Sequence, residues 1–191
     1  NGLSALPGRE AEARAEIDRA IAYARAIGCG AIHVMAGFAE GAAAEAVFLA
    51  NLDRACRSAP DLTILIEPLN HHDAPGYFLR HSDQAARIIA DAGHPNLRLM
   101  FDCYHQQIMG GDLTRRLERF LPITGHVQIA AVPDRGTPDH GELDYRHILT
   151  VLDSMGWDRP IGAEYRDPRP TDETLGWLTA LDEVSLMLGM M

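Results

Sequence analysis

Five short apolar segments recur along the chain, each followed by a stretch of helical period, and that alternation limits the fold more than any other feature. The segments are Ala31–Ala36, Leu62–Pro68, Leu97–Asp102, Gly125–Ala130 and Pro160–Glu164. LTILIEP is the strongest: β-branched, and apolar at successive positions, as in a strand covered on both faces of a parallel sheet. A helix over Arg9–Ile27 precedes the first segment, with Ile17, Ile21 and Ala24 on one face and Gly28 as its stop. Further helices are predicted from Ala42 to Arg57, from a Ser82 cap through Ile88 and Ile89 to Gly93, and from Asp112 through Leu113, Leu117 and Phe120. Asp144 caps another, bearing Ile148, Leu149 and Leu152 and stopped by Gly156; a closing helix starts at Thr171 with Leu175, Leu178 and Leu181. Repeated βα units mean a parallel sheet, either an open doubly wound fold or a (β/α)8 barrel. No GxGxxG or GxxxxGK[ST] follows a strand, which argues against the nucleotide-binding version.

At 191 residues the chain suits a single domain, 1–191, with no repeats or linkers. Its 17 Lys+Arg against 27 Asp+Glu give a formal charge of −10, opposite in sign to the footprint that nucleic acid requires. No apolar run approaches the ~20 residues that span a bilayer, and no signal peptide is seen. Cys29, Cys56 and Cys103 match no metal or redox spacing and read as small buried hydrophobes in a reducing compartment. The expectation is a cytoplasmic protein with no membrane and no nucleic-acid partner. Its Ala-rich helices leave a homo-oligomer open, while Trp157, Trp177, Met190 and Met191 read as packing or tail.

Four consecutive segments end in a side chain able to bind a cation: Glu67, Asp102, Gln128 and Glu164, spaced by 35, 26 and 36 residues. Each step is about one βα repeat, so the four fall at the carboxyl ends of successive strands, where barrels place their active sites. Carboxylates gathered there would repel one another and rise in pKa, and a divalent cation removes that cost. An all-oxygen set suits Mg²⁺ or Mn²⁺ better than zinc.

The segments 66–79 (IEPLNHHDAPGYFL), 101–113 (FDCYHQQIMGGDL), 126–145 (HVQIAAVPDRGTPDHGELDY) and 161–168 (IGAEYRDP) resemble the hydroxypyruvate isomerase family. That family lies within the xylose-isomerase-like barrels, with D-tagatose 3-epimerase and 2-oxo-tetronate isomerase. Residues 5–29 resemble the helix before the family's fourth strand. The resemblance implies one divalent ion on Glu67, Asp102, Gln128 and Glu164, with Glu67 and Glu164 as the acid–base pair on opposite sides of the substrate. It also implies that His105, Arg135 and Asp73 bind substrate oxygens. The implied reaction is hydroxypyruvate to 2-hydroxy-3-oxopropanoate through an enediolate, with 2-oxo-tetronate isomerisation or ketose 3-epimerisation as alternatives on the same site. Rivals of another class are an endonuclease-IV-like metallohydrolase, which wants several His ligands and a cationic groove, and a non-catalytic metal-binding fragment.

The chain departs from the family in three places. Gly136-Thr137-Pro138 stands where His-Glu-Pro is frequent after the loop arginine, and Ala131 stands where Asp is frequent, a mark of the tetronate-type branch. The first segment resembles the fourth family strand, so the fold is expected to be a (β/α)8 barrel incomplete at its N-terminal side, with about five βα units resembling strands 4 to 8. Either the chain is partial or another chain covers the edge at 31–36. Of the other histidines, His71 and His72 read as loop residues, His33 and His126 as strand residues, and His81, His94 and His147 as helix-end residues. His140, with Glu142 and Tyr145, belongs to the loop carrying Arg135, where the last two read as ordering that loop.

Overall fold

The computed structural model describes residues 2–179 and 181. Its strands are β1 (Ala31–His33), β2 (Thr63–Ile66), β3 (Leu97–Asp102), β4 (Thr124–Ile129) and β5 (Ile161–Ala163). The helices are α1 (Glu10–Ile27), α2 (Gly41–Ser58), α3 (Ser82–Ala92), α4 (Cys103–Gly110), α5 (Leu113–Phe120) and α6 (Tyr145–Ser154). The strands lie in chain order, β1-β2-β3-β4-β5. The pairs β1–β2, β2–β3 and β4–β5 are parallel. A doubly wound sheet reverses its strand order at a switch point; this sheet does not, and so it follows the barrel topology. No described helix is long and apolar enough to cross a membrane.

The chain forms two compact units, Asn1–Phe101 with Pro122–His126, and Asp102–Leu121 with Val127–Met191. In the first, α1 buries the face of Ala13, Ile17, Ile21 and Ala24, and carries Glu10 and Glu12 in its first turn where the helix dipole favours acid. It stops at Gly28, whose φ of 69° is the left-handed conformation that glycine adopts without penalty. In β2, Ile64, Leu65 and Ile66 are all buried, as a strand covered on both faces requires. Truncating Ile64 to alanine there would cost about 2–5 kcal/mol in lost transfer energy and cavity.

In the second unit α5 buries Leu113, Leu117 and Phe120, the face read from the sequence. Asp144 caps α6, its side chain accepting from Arg146 N and His147 N. Tyr104, Ala130 and Val132 form a buried cluster, with Ile108, Leu143 and Tyr165 packed against it.

Several sequence readings are corrected. β1 ends at His33 rather than Ala36: Val34 N still donates to Leu65 O of β2, but Met35 O and Ala36 O accept from Ser4 N and Ala5 N instead. β2 and β5 stop short of Pro68 and Glu164, so Glu67 and Glu164 lie one residue past their strands. Ser82 is not a cap but the first residue of α3, behind His81. Asp112 precedes α5 in the left-handed region (φ 51°) with no side-chain cap. Helix α4 was not anticipated at all. Cys29 is exposed, whereas Cys56 and Cys103 are buried. The expected closing helix is helical at 176–179, but Thr171–Thr174 before it is a 3-10 turn, and Thr174 and Trp177 are buried while Leu175 and Leu178 are exposed. Met190 and Met191 lie outside the described residues.

Candidate metal and substrate site

In the first unit Glu67 follows β2 directly and is buried. The loop after it is tied down locally. Asn70, itself fully buried, accepts from His72 N and Asp73 N, both at 2.9 Å, and its Nδ2 donates to Asp73 Oδ2 at 3.3 Å. Asp73 is exposed, its carboxylate turned back onto that turn. Farther on, the Tyr77 hydroxyl accepts from Ala36 N at 2.8 Å, fastening the same loop to the end of the β1 segment. His33 Nδ1 lies 3.7 Å from Glu67 Oε2, beyond hydrogen-bond reach. Burial lowers the His33 pKa to about 4. The nearby carboxylate favours the imidazolium, but burial is the larger influence, and the ring is neutral at neutral pH. His71 and His72 are exposed, with ring centroids 4.0 Å apart.

In the second unit Asp102 ends β3 and is also the N-cap of α4. Its Oδ1 accepts from Tyr104 N at 2.7 Å and His105 N at 3.4 Å. Its Oδ2 lies 3.9 Å from both His105 Nε2 and Arg135 Nη2. Burial pushes the Asp102 carboxyl up to about 6; Arg135 opposes the rise and Glu164 adds to it. Gln128 sits on β4 beside Gly162 of β5, and Glu164 N donates to Ile129 O at 3.0 Å. Arg135 has a left-handed backbone, φ 56°. Its Nη2 donates to Glu164 Oε2 at 2.7 Å, and its guanidinium lies 5.1 Å from the Tyr104 ring centroid. The strand end behind this group is held by Tyr145, whose hydroxyl accepts from Ala130 N at 3.1 Å and donates to Ala130 O at 2.7 Å.

The second unit thus brings together Asp102, His105, Arg135 and Glu164, four of the residues singled out in the sequence. Asp102 Oδ2 and Gln128 Oε1 are buried and receive no hydrogen bond among the described residues. Buried acceptors are nearly always satisfied, and leaving one bare costs a desolvation penalty. Two bare oxygens at the ends of adjoining strands fit a hard divalent cation, which takes carboxylate and amide oxygens. Sequence reasoning missed Tyr104, whose ring lies under Arg135, and the contact of His140 with Asp134. Nothing local in the sequence signals either one.

Residues 1–181 match the family model described as Xylose isomerase-like TIM barrel, and the chain belongs to that family. A 2-oxo-tetronate isomerase of Cupriavidus necator is 48% identical over 183 residues, 93% of this chain and 70% of that protein. A hydroxypyruvate isomerase of Escherichia coli is 36% identical, over 93% of this chain and 71% of that one. A solved structure from Brucella melitensis, described as an AP endonuclease of family 2, superposes with TM-score 0.89 at 41% identity, covering 94% of this chain and 72% of that chain. The chain carries five βα units of this barrel type, and with these curated relatives it is an enzyme of the isomerase class.

Proposed function

We propose that this chain is a divalent-metal-dependent isomerase of a small hydroxy-keto acid. Hydroxypyruvate to 2-hydroxy-3-oxopropanoate is the lead reaction. The second reading, 2-oxo-tetronate to its 3-oxo isomer, is favoured by the 48% identity to the Cupriavidus necator protein of that name. The observation that carries the proposal is the pair of buried bare acceptors, Asp102 Oδ2 and Gln128 Oε1, on adjoining strands. Glu67, Asp102, Gln128 and Glu164 would hold Mg²⁺ or Mn²⁺, and His105, 3.9 Å from Asp102, is a candidate further donor or a contact to a substrate hydroxyl.

When bound, such an ion stabilises the negative charge that develops on the substrate oxygens during enolisation. One of Glu67 and Glu164 removes a proton from C3 of hydroxypyruvate, giving the enediolate, and the other delivers a proton to C2. The hydroxyl proton passes from O3 to O2, so the reaction is an isomerisation with no other reactant. Arg135 supplies a fork for the substrate carboxylate. Its Nη2 now holds Glu164 Oε2, so turning to the substrate releases Glu164 for proton transfer. Asp73 is a third substrate contact in this reading, one that its carboxylate makes only on leaving the Asn70 amide.

The test is turnover of hydroxypyruvate against 2-oxo-tetronate after chelation, with and without added Mn²⁺, in the native chain and in Glu67→Gln and Glu164→Gln. Activity should depend on the metal, and each substitution should lower it by at least about 100-fold, the usual contribution of a positioned acid or base. Deuterium from D₂O should appear at the protonated carbon. Unchanged turnover in both variants would remove the site assignment.

A further inference from the structure

Arg135 is the residue that this reading gives to the substrate carboxylate, yet its backbone sits where L-residues are disfavoured. Something must hold it there. Backbone bonds supply part of the restraint: Arg135 N donates to Ala131 O at 2.9 Å, and Arg135 O accepts from Arg166 N at 2.7 Å. Side chains span the same residue. Asp134 Oδ1 accepts from Gly136 N at 3.1 Å, bridging the two neighbours of Arg135, while Asp134 Oδ2 lies 2.8 Å from His140 Nε2. His140 Nδ1 is 3.4 Å from Asp139 Oδ1, so the ring is gripped on both edges. The ring also fills the space over Gly136: a Cβ there would come within 2.8 Å of His140 Cε1 and 3.1 Å of Asp134 Oδ2. The absence of a side chain at 136 is what admits the ring.

We propose that Asp134 and His140 are positioning residues for Arg135, fixing its left-handed backbone so that the guanidinium is presented toward Glu164 and an anionic substrate. The proposal rests on the reading of Arg135 as the carboxylate-binding residue only for its effect on turnover. The effect on Arg135 itself is independent of that reading. An ordinary exposed ion pair would stabilise the loop slightly and leave Arg135 untouched.

The experiment follows the Arg135 Nε–H resonance by ¹⁵N NMR, assigned by its loss in Arg135→Lys, in the native chain and in Asp134→Asn, His140→Ala, His140→Gln and Gly136→Ala. Thermal melts confirm that each is folded. His140→Ala and Gly136→Ala should shift or broaden the resonance, and His140→Gln, which can still donate to Asp134, should restore it. In the same set KM for hydroxypyruvate or 2-oxo-tetronate should rise about tenfold with kcat within about twofold, the size of one charge-assisted hydrogen bond. An unmoved Arg135 resonance in both His140→Ala and Gly136→Ala overturns the proposal. If the resonance moves but neither those variants nor Arg135→Lys raises KM, the positioning stands and the carboxylate-binding reading of Arg135 fails.

Discussion

Replacing Tyr145 by phenylalanine isolates one oxygen atom. The ring remains to fill its buried place, so no cavity term enters beyond the hydroxyl itself. What is lost is a double bond to Ala130, donated at 2.7 Å to its carbonyl and accepted at 3.1 Å from its amide. Ala130 has no solvent exposure, so water does not replace the hydroxyl without rearrangement. An unmade buried hydrogen bond costs about 1–3 kcal/mol, and two on one residue should cost about 2–4 kcal/mol together. For a chain of this length that lowers Tm by roughly 5–15 °C. Because Ala130 lies between Gln128 and the Arg135 loop, turnover should fall as well, at temperatures where the variant is fully folded. Urea and thermal unfolding followed by circular dichroism, at matched metal content, give the number. A loss below about 0.5 kcal/mol, the range of neutral surface changes, would show that Tyr145 is merely filling space.

Asp102→Asn retains an oxygen for the α4 cap while removing a buried charge. The folded-state pKa of Asp102, about 6, lies above the ordinary 3.8, so the folded protein keeps a proton that the unfolded chain has released. Metal-free stability should therefore fall as pH rises from about 4 to about 6. The variant should be more stable than the native chain at pH 7 by on the order of 1–3 kcal/mol, and inactive; destabilisation by denaturant titration would refute this. Mn²⁺ at 100 times its dissociation constant should stabilise the native chain by about 2.7 kcal/mol and leave Asp102→Asn unaffected in a thermal-shift assay. His140 should titrate above 6.5 because Asp134, and then Asp139, favour its charged form. The stability it contributes is full below 6.5 and disappears as pH rises through the folded value, and ¹H–¹⁵N NMR should show the midpoint returning toward 6.5 in Asp134→Asn.

The parts of this chain written in local chemistry could be read from it. LRLMFD is β3 to the residue, the Ile17–Ile21–Ala24 stripe faces inward, and Asp144 caps its helix, because periodicity and capping act over a few residues. That Glu67, Asp102, Gln128 and Glu164 fall at or just past the ends of β2, β3, β4 and β5 was legible too, because each lies about one βα unit beyond the last. Helix α4 escaped notice because CYHQQIMG has no clear apolar face, and its start depends on Asp102 serving as a cap as well as a strand end. The Leu175 and Leu178 stripe misled, since tertiary packing chose Trp177 instead. The Asp134–His140 contact over Gly136 joins residues whose approach depends on the path of a whole loop, which no short window records.

The dual place of Asp102, last in β3 and first cap of α4, has a consequence for how this position tolerates change. A library at 102 selected for expression and solubility alone should recover the short acceptors that begin helices well: aspartate, asparagine, serine and threonine. The same library selected for growth that depends on turnover of the enzyme's substrate should recover aspartate alone. The gap between those two survivor sets separates, at one codon, what the chain needs in order to fold from what it needs in order to work.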